Sequence, residues 1–193
     1  EDYQEFRMKV FTVFAIDMPF TDAEYRSLDR SEMIDRIYKA AVAALRRKGE
    51  RMAEVALPVF RSIVEQHAAK GMVRVPITHG KRVFGITVHL EASINTESKT
   101  IASAWQKAIL LMSIDESWKE HLRELDQLRQ SVQNASDEQK DPLLIYKLES
   151  FNLFKTMLST MNNKAIAMLM RGQIPVQQPD EQQQQQQQPA QPQ

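Results

Sequence analysis

The chain of 193 residues contains no cysteine. Disulfides and a Cys-ligated zinc site are excluded within it, and the composition fits a reducing cytosol. Glycine is scarce, five in all. No G-x-x-x-x-G-K-S/T string and no Gly-rich loop occurs, so the backbone cradle of a nucleotide-binding loop is missing and no ATPase activity is expected of the chain alone. Neither sign of charge is in excess, with 25 Lys plus Arg against 25 Asp plus Glu. No net field draws the chain to nucleic acid or to an anionic membrane, although a local basic patch stays open. No apolar run approaches the roughly 18 to 20 residues that a spanning helix needs. The four histidines (His67, His79, His89, His121) lack metal-ligand spacing, and no nucleophile–base set stands out. No catalytic residue, metal site or cofactor is expected within the chain.

What is present is mostly helical pattern. Ile101 to Met170 reads as two long helices folded back on each other. In the first, Trp105, Ile109, Met112, Trp118, Leu122, Leu125, Leu128 and Val132 recur in threes and fours, with a gap near Glu116. In the second, Leu143, Leu144, Leu148, Phe151, Phe154, Leu158, Met161, Ala165 and Met168 share a face. Asp141-Pro142 suits a helix start, because the carboxylate accepts orphan N–H groups and Pro needs no partner at the first helical position. Each arm would be about 40 to 50 Å long, which suits a lever or probe more than a pocket. Asp115–Lys119 and Glu120–Arg123 pairs account for the carboxylates of the first arm as a charged outer face, so Asp115, Glu116, Glu120 and Glu124 do not call for a metal.

The N-terminal third reads as shorter helices. Tyr3, Phe6, Val10 and Val13 keep helical spacing, a break follows at Asp17-Met-Pro19, and Thr21-Asp-Ala-Glu24 has the form of a capping box. A longer helix opens at Asp29-Arg-Ser-Glu32, which repeats the capping-box form, with Met33, Ile34, Ile37, Tyr38, Ala41, Ala44 and Leu45 facing inward. Its stripe resumes at Met52, Val55, Val59 and Ile63, with a kink expected at Pro58. From Gly71 the period changes to two. Val73, Val75 and Ile77, then Phe84, Ile86, Val88 and Leu90, predict a β-hairpin turning at His79-Gly80, with the Pro76 strand at an edge. Arg171-Gly-Gln-Ile-Pro175 stops the last helix. The Gln- and Pro-rich stretch from Val176 is expected to be disordered.

The fold class is therefore mainly α: a long antiparallel helical hairpin packed with a helical subdomain and one inserted β-hairpin, with a disordered tail. The divisions are 1–70, 71–99, 100–175 and 176–193.

Ser117-Trp-Lys-Glu-His-Leu122, Asp126, Leu128-Arg-Gln130, Gln139-Lys-Asp-Pro142, Tyr146-Lys147 and Glu149-Ser-Phe151 fall in an order and spacing that resembles the bacterial preprotein translocase motor family SecA. The likeness is to its helical scaffold and two-helix finger, over roughly Ala108 to Pro175, about a third of the chain. Residues 1–70 are more loosely similar to its helical wing. The β-hairpin is not part of the common pattern and reads as an elaboration.

The resemblance implies a fragment of an ATP-driven translocase, with ATP and Mg bound elsewhere in the whole protein. Implied partners are the SecY channel complex, unfolded preproteins, the rest of the motor and, as a further candidate, a second copy. No nucleic acid is expected. The implied location is the cytoplasm and the cytoplasmic face of the inner membrane. The fingertip, Ser136, Asp137, Glu138, Gln139 and Lys140, would touch substrate or channel. The family's tip aromatic, usually Tyr, is matched here by Asp137, whose carboxylate cannot stack on an apolar segment. Trp118, His121 and Leu122 would dock the hairpin base on the motor and restrain the ATPase when no substrate is engaged. On the residues alone, Trp118 and His121 read as a packed interface pair. The competing reading is a stand-alone coiled-coil-type interaction module without catalysis. That reading calls for a self-contained unit, whereas a fragment should expose apolar faces on 101–134 and 1–14.

Overall fold

The computed structural model describes residues 2–67, 71–80, 82–134 and 141–175. Eight elements follow in order: α1 (Tyr3–Phe14), α2 (Asp22–Tyr25), α3 (Arg30–His67), β1 (Met72–Thr78), β2 (Val83–His89), α4 (Leu90–Asn95), α5 (Thr100–Asn134) and α6 (Pro142–Arg171). The mainly α class and the single β-hairpin stand as read from the sequence, while the tail from Val176 lies outside the described residues.

Local chemistry sets the element boundaries. Thr21 and Glu24 form a reciprocal capping box at α2. Asp29 starts α3 by accepting from the Ser31 N–H at 3.0 Å, whereas Glu32 turns outward to Arg36 instead of back to the cap. The Asp141 carboxylate accepts from the Leu143 N–H at 2.9 Å, with Pro142 at the first helical position. Helix α3 is 38 residues long and runs unbroken through Pro58. The short helix α4, immediately after β2, has too few residues for a periodic signal and was not legible in the sequence.

The hairpin register pairs Val73 with Val88, Val75 with Ile86 and Ile77 with Phe84. Its inner face, Val75, Ile77, Ile86 and Val88, is buried against Met52, Ala56 and Phe60 of α3 and Ile101, Trp105 and Ile109 of α5. This is the principal core. A second cluster joins Val10 of α1, Ile16, Phe20, Ile37 of α3 and Met170 of α6. There the Tyr3 hydroxyl donates to the Phe20 carbonyl at 2.7 Å, and Tyr25 packs on the Phe6 and Phe20 rings.

The outer edge of β1 is nearly closed. The Leu90 N–H to Gly71 carbonyl bond fixes the ladder so that Met72, Arg74, Pro76 and Thr78 direct their backbone groups away from β2. Thr78 exchanges both hydrogen bonds with Gln173 beyond α6, each 2.8 Å. Continued by two residues, that pairing would set Pro175 opposite Pro76, and neither carries an N–H.

Three stripes differ from the sequence pattern. On α3, Ile34, Tyr38 and Val59 are exposed, and Met52, Ala56 and Phe60 carry the core. On α6, the row Leu143, Leu144, Leu148 and Phe151 lies outward, while Met157, Ala165 and Met170 are buried. On α5, Trp118 and Leu122 leave the inner row. Helices apolar on two faces give a period but not a choice of face, and that choice depends on which partner is present.

Candidate functional site

The hairpin of α5 and α6 has a dense base and a thin shaft. Around Trp105 the two helices meet the sheet and α3. Beyond Ser113, only His121, Val132 and Met157 of these helices are buried among the described residues. The inner row of α5 runs Ile109, Ser113, Ser117, His121, Leu125, Leu128 and Val132, in steps of four and three. Three of its members are polar, which explains the gap that the sequence pattern shows near Glu116.

The outer row is apolar. Leu111, Ile114, Trp118 and Leu122 follow in steps of three, four and four, and all are exposed, Trp118 at 48% and Leu122 at 46%. Leu110 beside them is exposed too, as are Met8 and Phe11 on α1. An unpartnered row of this kind marks an interaction surface.

His121 fastens this face to the second arm. Its imidazole is 3% exposed and lies between the rings of Trp118 and Phe154, at 5.7 and 5.8 Å between centroids. Its Nδ1 is buried without a hydrogen-bond partner among the described residues. Leaving such an atom unpaired costs about 1–3 kcal/mol, so packing between the rings must offset that. Trp118 and Phe154 are thus linked through one buried side chain.

The expected site residues divide accordingly. Trp118 and Leu122 are surface residues on one stripe, and His121 is the buried strut behind them. Ser136, Asp137, Glu138, Gln139 and Lys140 lie outside the described residues. The charged face is as read, with Lys119 bonded to Asp115 and Arg123 to Glu120, each at 2.6 Å. Glu116 departs from it by crossing to Lys164 on α6, a pair that spacing along one helix cannot reveal. Leu111 and Ile114, which extend the exposed stripe, were missed because the sequence pattern followed the inner row at that point. Among the described residues, no group of three His, Asp or Glu side chains could hold a metal ion. None of their helices is long and apolar enough to cross a membrane.

A family sequence model described as SecA Wing and Scaffold domain matches residues 1–173. The protein translocase subunit SecA of Parabacteroides distasonis is 49% identical over 179 residues, which is 92% of this chain and 16% of the relative. That of Phocaeicola vulgatus is 47% identical over 181 residues, 93% of this chain and 16% of the relative. A more distant one, from Christiangramia forsetii, is 36% identical over 176 residues, 91% of this chain and again 16% of the relative. No solved structure matches. The chain therefore spans about 16% of the length of the curated relatives it matches. With its α1–α3 body and its α5–α6 hairpin inside the matched range, the chain belongs to the SecA wing and scaffold domain family.

Proposed function

We propose that this chain is the part of a protein-translocating motor that carries mechanical change from an ATPase to the moving polypeptide. The α5–α6 hairpin is the two-helix finger, and the exposed row Leu111, Ile114, Trp118 and Leu122 docks it on the rest of the motor. The observation that carries the reading is that row itself: apolar, continuous and unpartnered, on a chain that makes up about a sixth of its relatives' length. A stand-alone interaction module would expose such a row as well; the likeness to translocase subunits about six times as long favours the rest of that polypeptide as its partner.

In this reading, ATP and Mg act in the remainder of the polypeptide, and no residue of this chain touches them. Docking at Trp118 and Leu122, held in register by His121, restrains the motor until substrate engages. Residues 136–140 meet the SecY channel or the preprotein, on the cytoplasmic face of the inner membrane. Asp137 at the tip would hold a segment through hydrogen bonds and charge, not through stacking.

The test is a photo-crosslinker at position 137 of the whole protein, with a control at exposed Arg61, and a preprotein stalled in a reconstituted channel. ATP-dependent crosslinks from 137 alone, to channel or preprotein, are expected. Absence of crosslinks from both positions, with the protein folded and binding ATP, would overturn the finger assignment.

A further inference from the structure

The chain has no net charge, yet its cations are not evenly spread. Arg47, Lys48 and Arg51 stand on one face of α3, at the point where that helix passes the end of α6. Arg171 closes α6, and the β1–β2 turn brings His79 and Gly80 to the same place. Together with Ala44 these residues line a cleft of about 570 Å³, and no carboxylate lines it. A neighbouring cleft shares His79 and Arg171 and adds Arg82. Its carboxylate, Glu116, is already taken by Lys164. Glu50, the nearest acid along α3, turns to Arg46 at 3.7 Å. Among the described residues, Arg47, Lys48, Arg51 and Arg82 form no ion pair.

A structural explanation for the cations exists but falls short. Helices α1 and α6 both end here, and Arg171 donates to the Thr12 carbonyl in the last turn of α1. Each helix C-terminus offers about half a negative charge. Two ends supply about one charge, against four permanent cations and a histidine. Most of the positive charge is left unanswered. Burial, and secondarily the Arg51 guanidinium beside it, hold the Lys48 pKa below the ordinary lysine value.

We propose that this cleft is a binding site for a polyvalent phosphate anion. Guanidinium groups offer paired N–H donors matched to phosphate oxygens, and Lys48 adds a point charge between them. The concavity, formed from four separate segments, suits a compact anion of several charges better than a flat surface. Such an anion would tie α3, the β-turn and the end of α6 together, joining the wing to the base of the hairpin. This goes beyond the translocation reading and does not depend on it.

The test uses the 193-residue chain, with inorganic pyrophosphate as probe at constant ionic strength. Backbone amide resonances of Arg47, Lys48, Arg51, Gly80 and Arg171 should shift and saturate, while Arg123 and Arg129 on the hairpin shaft stay still. The melting temperature should rise with occupancy. The double substitution K48Q/R51Q, with an unchanged far-UV circular dichroism spectrum, should weaken binding by about tenfold or more. Vesicles of phosphatidylglycerol, whose phosphodiester carries a single charge, form the second arm: a response at these residues to vesicles but not to pyrophosphate would overturn the polyvalent anion in favour of a lipid surface. Shifts spread over all surface cations, shifts that follow ionic strength alone, or equal shifts with a poly-glutamate peptide would overturn the proposal. The resonance map decides the matter even if K48Q/R51Q fails to fold.

Discussion

Gly172 lies against the indole of Trp105 so closely that a β-carbon there would sit 2.4 Å from Nε1. The glycine's backbone angles, φ −59° and ψ 133°, are open to any residue. Contact, not conformation, requires glycine at this position. Trp105 of α5 belongs to the main core and Gly172 ends α6, so this contact helps to seat the second arm on the first, beside Ala165 and Met170. Gly172→Ala should push the indole out of place and destabilise the chain by about 1–3 kcal/mol, seen as a lower denaturant midpoint. An unchanged midpoint would mean that the indole has room to move.

His121 offers a cleaner separation of packing from polarity. His121→Ala removes the strut between Trp118 and Phe154 and should cost about 1–3 kcal/mol. His121→Leu keeps bulk and removes the unpaired nitrogen, so it should cost clearly less than the alanine variant. Equilibrium unfolding of both variants checks this. A leucine variant weaker than the alanine one would show that Nδ1 is paired in solution.

The exposed row on α5 should be separable from stability. Leu111→Gln with Ile114→Gln, which keeps the side-chain stems and leaves the Trp118 ring on His121, should lower binding of an apolar dye and reduce self-association of the 193-residue chain in sedimentation. The unfolding free energy should stay within about 0.5 kcal/mol, because little buried area is lost. A large loss of stability would place these side chains in the chain's own core.

At the first turn of α2, the Glu24 carboxyl is held below its ordinary value of 4.5 by the Thr21 backbone N–H, then the Thr21 hydroxyl, then Arg36. A group whose pKa falls on folding stabilises the fold above its unfolded value, and that stabilisation disappears as pH drops through the folded value. Glu24→Gln should therefore flatten the loss of stability below about pH 4.5 and leave the slope near neutrality alone. Thermal melts from pH 3 to 7 would show it, and identical acid limbs would count against the capping box in solution.

Much of this architecture was legible in the sequence because its signals are local. The Asp141-Pro142 start, the Thr21–Glu24 box, the two-residue period of Val75–Ile77 and Ile86–Val88, and the stop at Gly172 each rest on residues within one turn of each other. What was not legible was the choice of face. Ser113, Ser117 and His121 carry the inner row of α5 through a polar stretch, so a hydrophobic pattern slides from Ile109 and Met112 onto Trp118 and Leu122. The row Leu144, Leu148 and Phe151 on α6 has the periodicity of a core stripe yet faces outward. The cationic cleft was hidden for a different reason: Arg47, His79 and Arg171 are far apart in the chain and adjacent only in the fold.

The outer edge of β1 has a further consequence. Of its four outward positions, Thr78 is already bonded to Gln173 and Pro76 has no donor, which leaves Met72 and Arg74 alone able to donate. An unfolded polypeptide recruits itself to a sheet by adding a strand, and it needs donors at alternate residues to do so. If the chain works beside unfolded polypeptide, as proposed, a spare strand edge would trap the cargo on its carrier. This side of the sheet makes a poor template, so a passing segment would slide over it without being captured.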